Sequence, residues 1–130
     1  MKWGMAADNM DRKKQLKELY KQMKTDMGIF IVQNKINNKY LLITSQNLQG
    51  MINRVRFQLN SGGHPNIELQ QDWRKLGEDN FDIKILEKLA YGKDESKTDY
   101  SEELRIMEII WAEKQSDKNM ESYKNKGVKK

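Results

Sequence analysis

Residues 28–59 read Gly-Ile-Phe-Ile-Val-Gln-Asn-Lys-Ile-Asn-Asn-Lys-Tyr-Leu-Leu-Ile-Thr-Ser, then Gln-Asn-Leu-Gln-Gly-Met-Ile-Asn-Arg-Val-Arg-Phe-Gln-Leu. Two apolar runs flank Asn37-Asn38. Asparagine tolerates positive φ, so this pair predicts a turn and the two runs predict a β-hairpin over 28–34 and 40–45. The runs are almost continuously apolar, which predicts cover on both faces. Asn47 is placed to cap a following helix. Its apolar stripe is Leu48, Met51, Ile52, Val55 and Leu59, and Ser61-Gly62-Gly63 ends it.

Downstream, His64-Pro65-Asn66 opens a second helix, with Pro65 suited to its first turn and Leu69, Trp73 and Leu76 facing inward. Gly77 stops it. A third strand follows over 81–89, with Phe81, Ile83 and Ile85 on one face. Residues 91–99 form a charged loop. Ser101 is placed to cap a last helix running to about Lys114, whose inner face holds Tyr100, Leu104, Met107 and Trp111. Ile106 and Ile110 widen that arc, and Ile109 falls outside it, which predicts either deep burial or a partner. Upstream, 1–10 reads as a disordered lead-in. Residues 11–26 read as an amphipathic basic helix with Leu16, Leu19, Tyr20 and Met23 on one face. Residues 115–130 read as a polar, basic tail that frays. The predicted fold is α+β: a small three-stranded, largely antiparallel sheet flanked by helices, plus an extra N-terminal helix.

At 130 residues the chain suits one domain around one core. It has no cysteine, so no disulfide framework and no thiolate metal site, and a reducing cytoplasm is expected. No apolar run approaches a membrane span, and 1–10 lacks the apolar core of a signal peptide. The net charge of +5 is unevenly spread. Residues 11–26 carry six basic and three acidic residues, and 114–130 carry six and two, whereas 27–113 carry eleven and thirteen. A protein that grips DNA draws most of its affinity from cations along the phosphates. Here those cations sit at the two ends and not on the central body.

The order of elements resembles the GIY-YIG nuclease superfamily, in particular its homing-endonuclease-like members. The phrases that carry the resemblance are His64-Pro65-Asn66, Glu68-Leu69-Gln70, Asp72-Trp73 and Gly77-Glu78-Asp79-Asn80-Phe81, spread through residues 27–114. The resemblance implies phosphodiester cleavage assisted by one divalent metal held chiefly by a glutamate. It also implies a tyrosine on each hairpin strand, an arginine and a histidine or tyrosine on the first core helix, and an activated water. Such chemistry needs cationic donors for the phosphate charge and a base within hydrogen-bond reach of the water.

Most of those positions are substituted. The first tyrosine falls on Phe30, which keeps the ring and loses the hydroxyl. Counting back from Asn53-Arg54 puts the second on Leu41. A shift of one residue puts it on Tyr40, on the opposite strand face. The arginine position falls on Met51, or on Gly50 in the shifted register, and the histidine position on Val55. Glu108, before Trp111, retains the glutamate. The family's Gly-Tyr-Asn corresponds most nearly to Ser122-Tyr123-Lys124. The expectation is therefore a degenerate domain that has lost hydrolysis and acts as a binding or regulatory module for a protein or a nucleic acid. It would be a monomer or homodimer off the membrane and need no cofactor. The competing expectation is a Mg-dependent DNA endonuclease with Tyr40, Arg54 and Glu108 in rearranged catalytic roles and Glu108 on the metal. In either case Arg54, Arg56 and His64 are the expected nucleic-acid contacts.

Overall fold

The computed structural model describes residues 24–124 together with residues 12, 14 and 15. The predicted N-terminal helix and the last six residues lie largely outside the described residues. Arg12, Lys14 and Gln15 are helical and exposed.

The hairpin forms as expected. β1 (Met27–Asn34) pairs antiparallel with β2 (Lys39–Ser45), from Gly28 opposite Ser45 to Gln33 opposite Tyr40. Asn38 takes φ 63°, and its N–H donates to the Asn34 carbonyl at 2.9 Å. β3 (Phe81–Leu89) pairs antiparallel with the other side of β1. α1 (Leu48–Ser61) and α2 (Ile67–Leu76) cover one face of the sheet, and α3 (Ser101–Asp117) covers the other. The α+β architecture read from the sequence is thus present. Among the described residues no helix is long and apolar enough to cross a membrane.

Two cores result from strand alternation. Phe30 and Val32 of β1 pack with Leu48, Ile52, Val55, Leu59, Leu69 and Trp73 under α1 and α2. Ile29 and Ile31, one residue out of phase, pack with Tyr40, Leu42, Leu104 and Met107 under α3. β1 is buried on both faces, which is why it reads as an unbroken apolar run. Gly28 lies where β3 crosses closest. A Cβ there would sit 2.1 Å from the Glu87 carbonyl oxygen, so only glycine fits.

Three details depart from the sequence reading. A register shift at Ile29/Phe30 breaks the alternation of β3. Leu86 and Leu89 turn toward the α3 side, and Ile85 is left exposed. Ser101 begins α3 without capping it. Instead Asp99 Oδ1 accepts the Ser101 N–H at 3.0 Å and its hydroxyl at 2.6 Å, and these bonds hold the Asp99 carboxyl below its usual range. Ile106, Ile109 and Ile110 are all exposed, so the inner arc of α3 is narrower than the apolar pattern suggests.

The chain beyond Lys114 is not a frayed tail over 115–124. α3 runs on to Asp117, and Gln115 is buried. A fourth strand, β4 (Glu121–Ser122), then pairs parallel with Lys39 and Tyr40. It completes a sheet of order β3-β1-β2-β4. Tyr123 follows, 2% exposed, as the largest fully buried side chain of the domain.

Candidate functional site

The pairing of Val32 with Leu41 and of Gln33 with Tyr40 settles the register of β2. Leu41 and Ile43 face α1, and Tyr40 and Leu42 face α3. The positions reached by counting back from Asn53-Arg54 therefore share one side of the sheet. Phe30 is fully buried in the core cluster that Leu41, Met51 and Val55 share, and these three stand together in the wall of a cleft of about 510 Å³. Leu42, Ile43, Thr44, Arg54, Gln58, His64, Pro65 and Asn66 complete the lining.

Cleft chemistry follows from this lining. It carries one permanent cation, Arg54, and no carboxylate. Arg54 is exposed and makes no ion pair among the described residues. Its neighbour Arg56 is half-buried on α1 and does not line the cleft. His64 is buried, and its Nδ1 accepts the Asn66 N–H at 2.9 Å. A neutral imidazole with that acceptor carries its proton on Nε2. Burial pushes the His64 pKa below its ordinary value. The cleft thus offers a guanidinium and a neutral imidazole.

The phrases that carry the family resemblance do scaffolding work beside this cleft. Asn66 caps α2, its Oδ1 accepting the Leu69 N–H at 3.0 Å. Gln70 bridges two segments: its Oε1 accepts the His64 N–H at 2.9 Å, and its Nε2 donates to the Leu59 carbonyl at 2.9 Å. The Trp73 indole donates to Asn60 Oδ1 at 3.0 Å and stacks, tilted, on Phe81. Glu68 pairs with Lys39 and also accepts the Lys124 N–H at 3.0 Å. Its carboxyl is held below the usual range by Lys39 first and the Lys124 N–H second.

Sequence reasoning aligned Tyr123 but gave no role to its buried hydroxyl. The Tyr123 hydroxyl donates to Asp72 Oδ2 at 2.8 Å and accepts from Asn34 Nδ2 at 2.9 Å. Burial raises its pKa well above the ordinary 10.0, and Asp72 adds to the rise while the Asn34 bond opposes it. One aromatic residue in an otherwise polar segment was the signal that marked it.

Tyr40 and Glu108 do not join the cleft lining. Tyr40 is buried under α3, where loss of solvent raises its hydroxyl pKa. Glu108 lies exposed on α3 and makes no hydrogen bond or ion pair among the described residues. The resemblance implies a divalent ion at this glutamate. Among the described residues no three of His, Cys, Asp and Glu are grouped to hold one.

With this geometry in view, the chain is similar to a solved structure of the catalytic domain of homing endonuclease I-TevI. The identity is 27%, over 75% of this chain and 95% of that one, with a TM-score of 0.57. A mutant of the same domain is 30% identical over 62% of this chain and 86% of its own, with a TM-score of 0.47. No protein-family model and no curated protein sequence matches the chain.

Proposed function

This chain has a GIY-YIG-like fold, and from that premise we propose that it is a domain of this architecture that has lost phosphodiester hydrolysis and works as a binding module. The observation that carries the reading is the apolar wall made by Leu41, Met51 and Val55, with Phe30 buried in the same core cluster. In the family these positions supply proton-transfer and phosphate-neutralising groups; here they are apolar and lie together on one side of the sheet. Removing a single transition-state donor typically costs about two to three orders of magnitude in rate. Several are replaced at once. The cleft itself persists, with Arg54 and the His64 imidazole in its lining. A site with apolar walls and few polar groups is suited to holding a partner in place.

The competing endonuclease reading needs Tyr40, Arg54 and Glu108 around one phosphate. Tyr40 lies on the opposite face of the sheet from Arg54, which counts against it. The test is a cleavage assay on supercoiled and branched DNA with Mg²⁺ and with Mn²⁺, comparing the native chain with Glu108→Ala. Neither protein is expected to nick DNA. Metal-dependent nicking by the native chain that disappears in Glu108→Ala would overturn the non-hydrolytic reading.

A further inference from the structure

The two outer edges of the sheet differ. β3 presents Asp82, Lys84, Glu87 and Lys88 along its length, and charges of this kind keep an edge from pairing with other chains. Beyond its contact with β4, β2 presents Leu-Leu-Ile-Thr-Ser over residues 41–45, with no charge and no proline. β4 covers only Lys39 and Tyr40. The Tyr123 N–H donates to the Tyr40 carbonyl at 2.8 Å, so the backbone polar groups of Tyr40 aim outward at β4. Backbone direction alternates along a strand. Leu42 and Thr44 therefore aim their N–H and C=O groups outward too, past the end of β4. Neither makes a hydrogen bond along that edge among the described residues.

This edge, open among the described residues, is also one lip of the cleft: Leu41, Leu42, Ile43 and Thr44 all line it. A strand added there would hang alternate side chains over Leu41, Ile43, Met51 and Val55. Arg54, the one cation of the lining, would meet an acidic side chain. Resting on the non-hydrolytic reading of this cleft, we propose that the β2 edge takes an extended peptide of a protein partner by strand addition, with apolar residues two apart and an acidic residue for Arg54. Main-chain bonds would supply much of the affinity and the cleft the sequence preference.

The test selects phage-displayed random linear heptapeptides on the full chain, then synthesises the tightest one. The selected sequences are expected to show apolar residues at alternate positions with a neighbouring Asp or Glu. On titration into ¹⁵N-labelled protein, the Leu42 and Thr44 amides should shift and exchange more slowly. N-methylating the peptide at alternate amides should weaken binding about fivefold per lost bond, and methylation of the intervening amides should not. Arg54→Glu, at an exposed position, should weaken binding and leave the fold intact. No enrichment, binding indifferent to N-methylation, or amides of Leu42 and Thr44 already protected by self-association would each overturn the proposal. A single-stranded oligonucleotide that shifts these amides when no peptide does would overturn it in favour of nucleic acid. DNA nicking would overturn the underlying reading separately.

Discussion

Replacing Tyr123 by phenylalanine tests the polar centre of the domain. The change removes one oxygen and keeps the buried ring. Asn34 Nδ2 loses a 2.9 Å partner and keeps Asp72 at 3.3 Å. Asp72 loses a 2.8 Å donor and keeps the longer bonds from Asn34 and Asn37, at 3.3 and 3.4 Å. A bond to a charged group contributes about 1.5–3 kcal/mol, and the amide left short of an acceptor adds to the loss. The expected destabilisation is about 2–3 kcal/mol, a fall in Tm of roughly 8–12 °C for a domain of this size. Urea unfolding and calorimetry at neutral pH measure it. The pH dependence supplies a second check. A tyrosine in the unfolded chain ionises near 10.0, and the native hydroxyl holds its proton to higher pH. Its contribution is therefore complete below about pH 10 and is lost as pH rises beyond it. The gap between native chain and variant should be flat up to about pH 9 and narrow above pH 10. A loss under about 0.5 kcal/mol would refute the reasoning, because it would mean the hydroxyl exchanges its partners for water at no cost.

Gly28→Ala forces a methyl into the Glu87 carbonyl and should cost at least about 2 kcal/mol in urea unfolding, because backbone and not a flexible side chain must give way. Asn66→Ala removes the α2 cap and the 3.0 Å bond from Asn66 Nδ2 to the Lys124 carbonyl, an expected loss of about 1–2 kcal/mol by the same measurement. His64 should titrate below its ordinary 6.5 with its neutral proton on Nε2, as read by ¹⁵N-NMR of the imidazole. Because its native pKa is depressed, its contribution to stability is present above pH 6.5 and falls as the pH drops through the native value. Glu68→Gln should cost under about 1 kcal/mol, since the Lys39 pair is a quarter exposed on each side. It should nonetheless speed hydrogen exchange at Tyr123 and Lys124.

Periodicity made most of the fold legible before any coordinates. Asn37-Asn38 between apolar runs marked the hairpin, and the stripe from Leu48 to Leu59 marked α1. The register of β2 was not legible. Tyr40 through Ile43 is apolar at every position, so no alternation tells one face from the other, and only pairing with β1 separates Leu41 from Tyr40. The register shift opposite Ile29 was hidden for a related reason, since strand alternation in sequence cannot show where a partner strand holds one residue more. β4 is two polar residues, Glu121 and Ser122, and carries no signal of its own. At the site, Arg54 and His64 were named from the sequence and both line the cleft, whereas Tyr40 and Glu108 do not. The network at Asp72 joins residues 89 positions apart in the chain, which no local pattern encodes.

That reach across the chain bears on how the protein comes into being. Tyr123 is nearly the last described residue, yet it plugs the core beneath α1 and α2 and ties together the hairpin and α2. During synthesis the hairpin and the first two helices emerge long before it. Contacts so distant in sequence close slowly. A nascent chain halted before Tyr123 would leave Asn34 and Asp72 without their shared hydroxyl and the core beside Trp73 open, a state exposed to aggregation and proteolysis. Completion of the domain therefore waits on the segment that carries β4 and Tyr123.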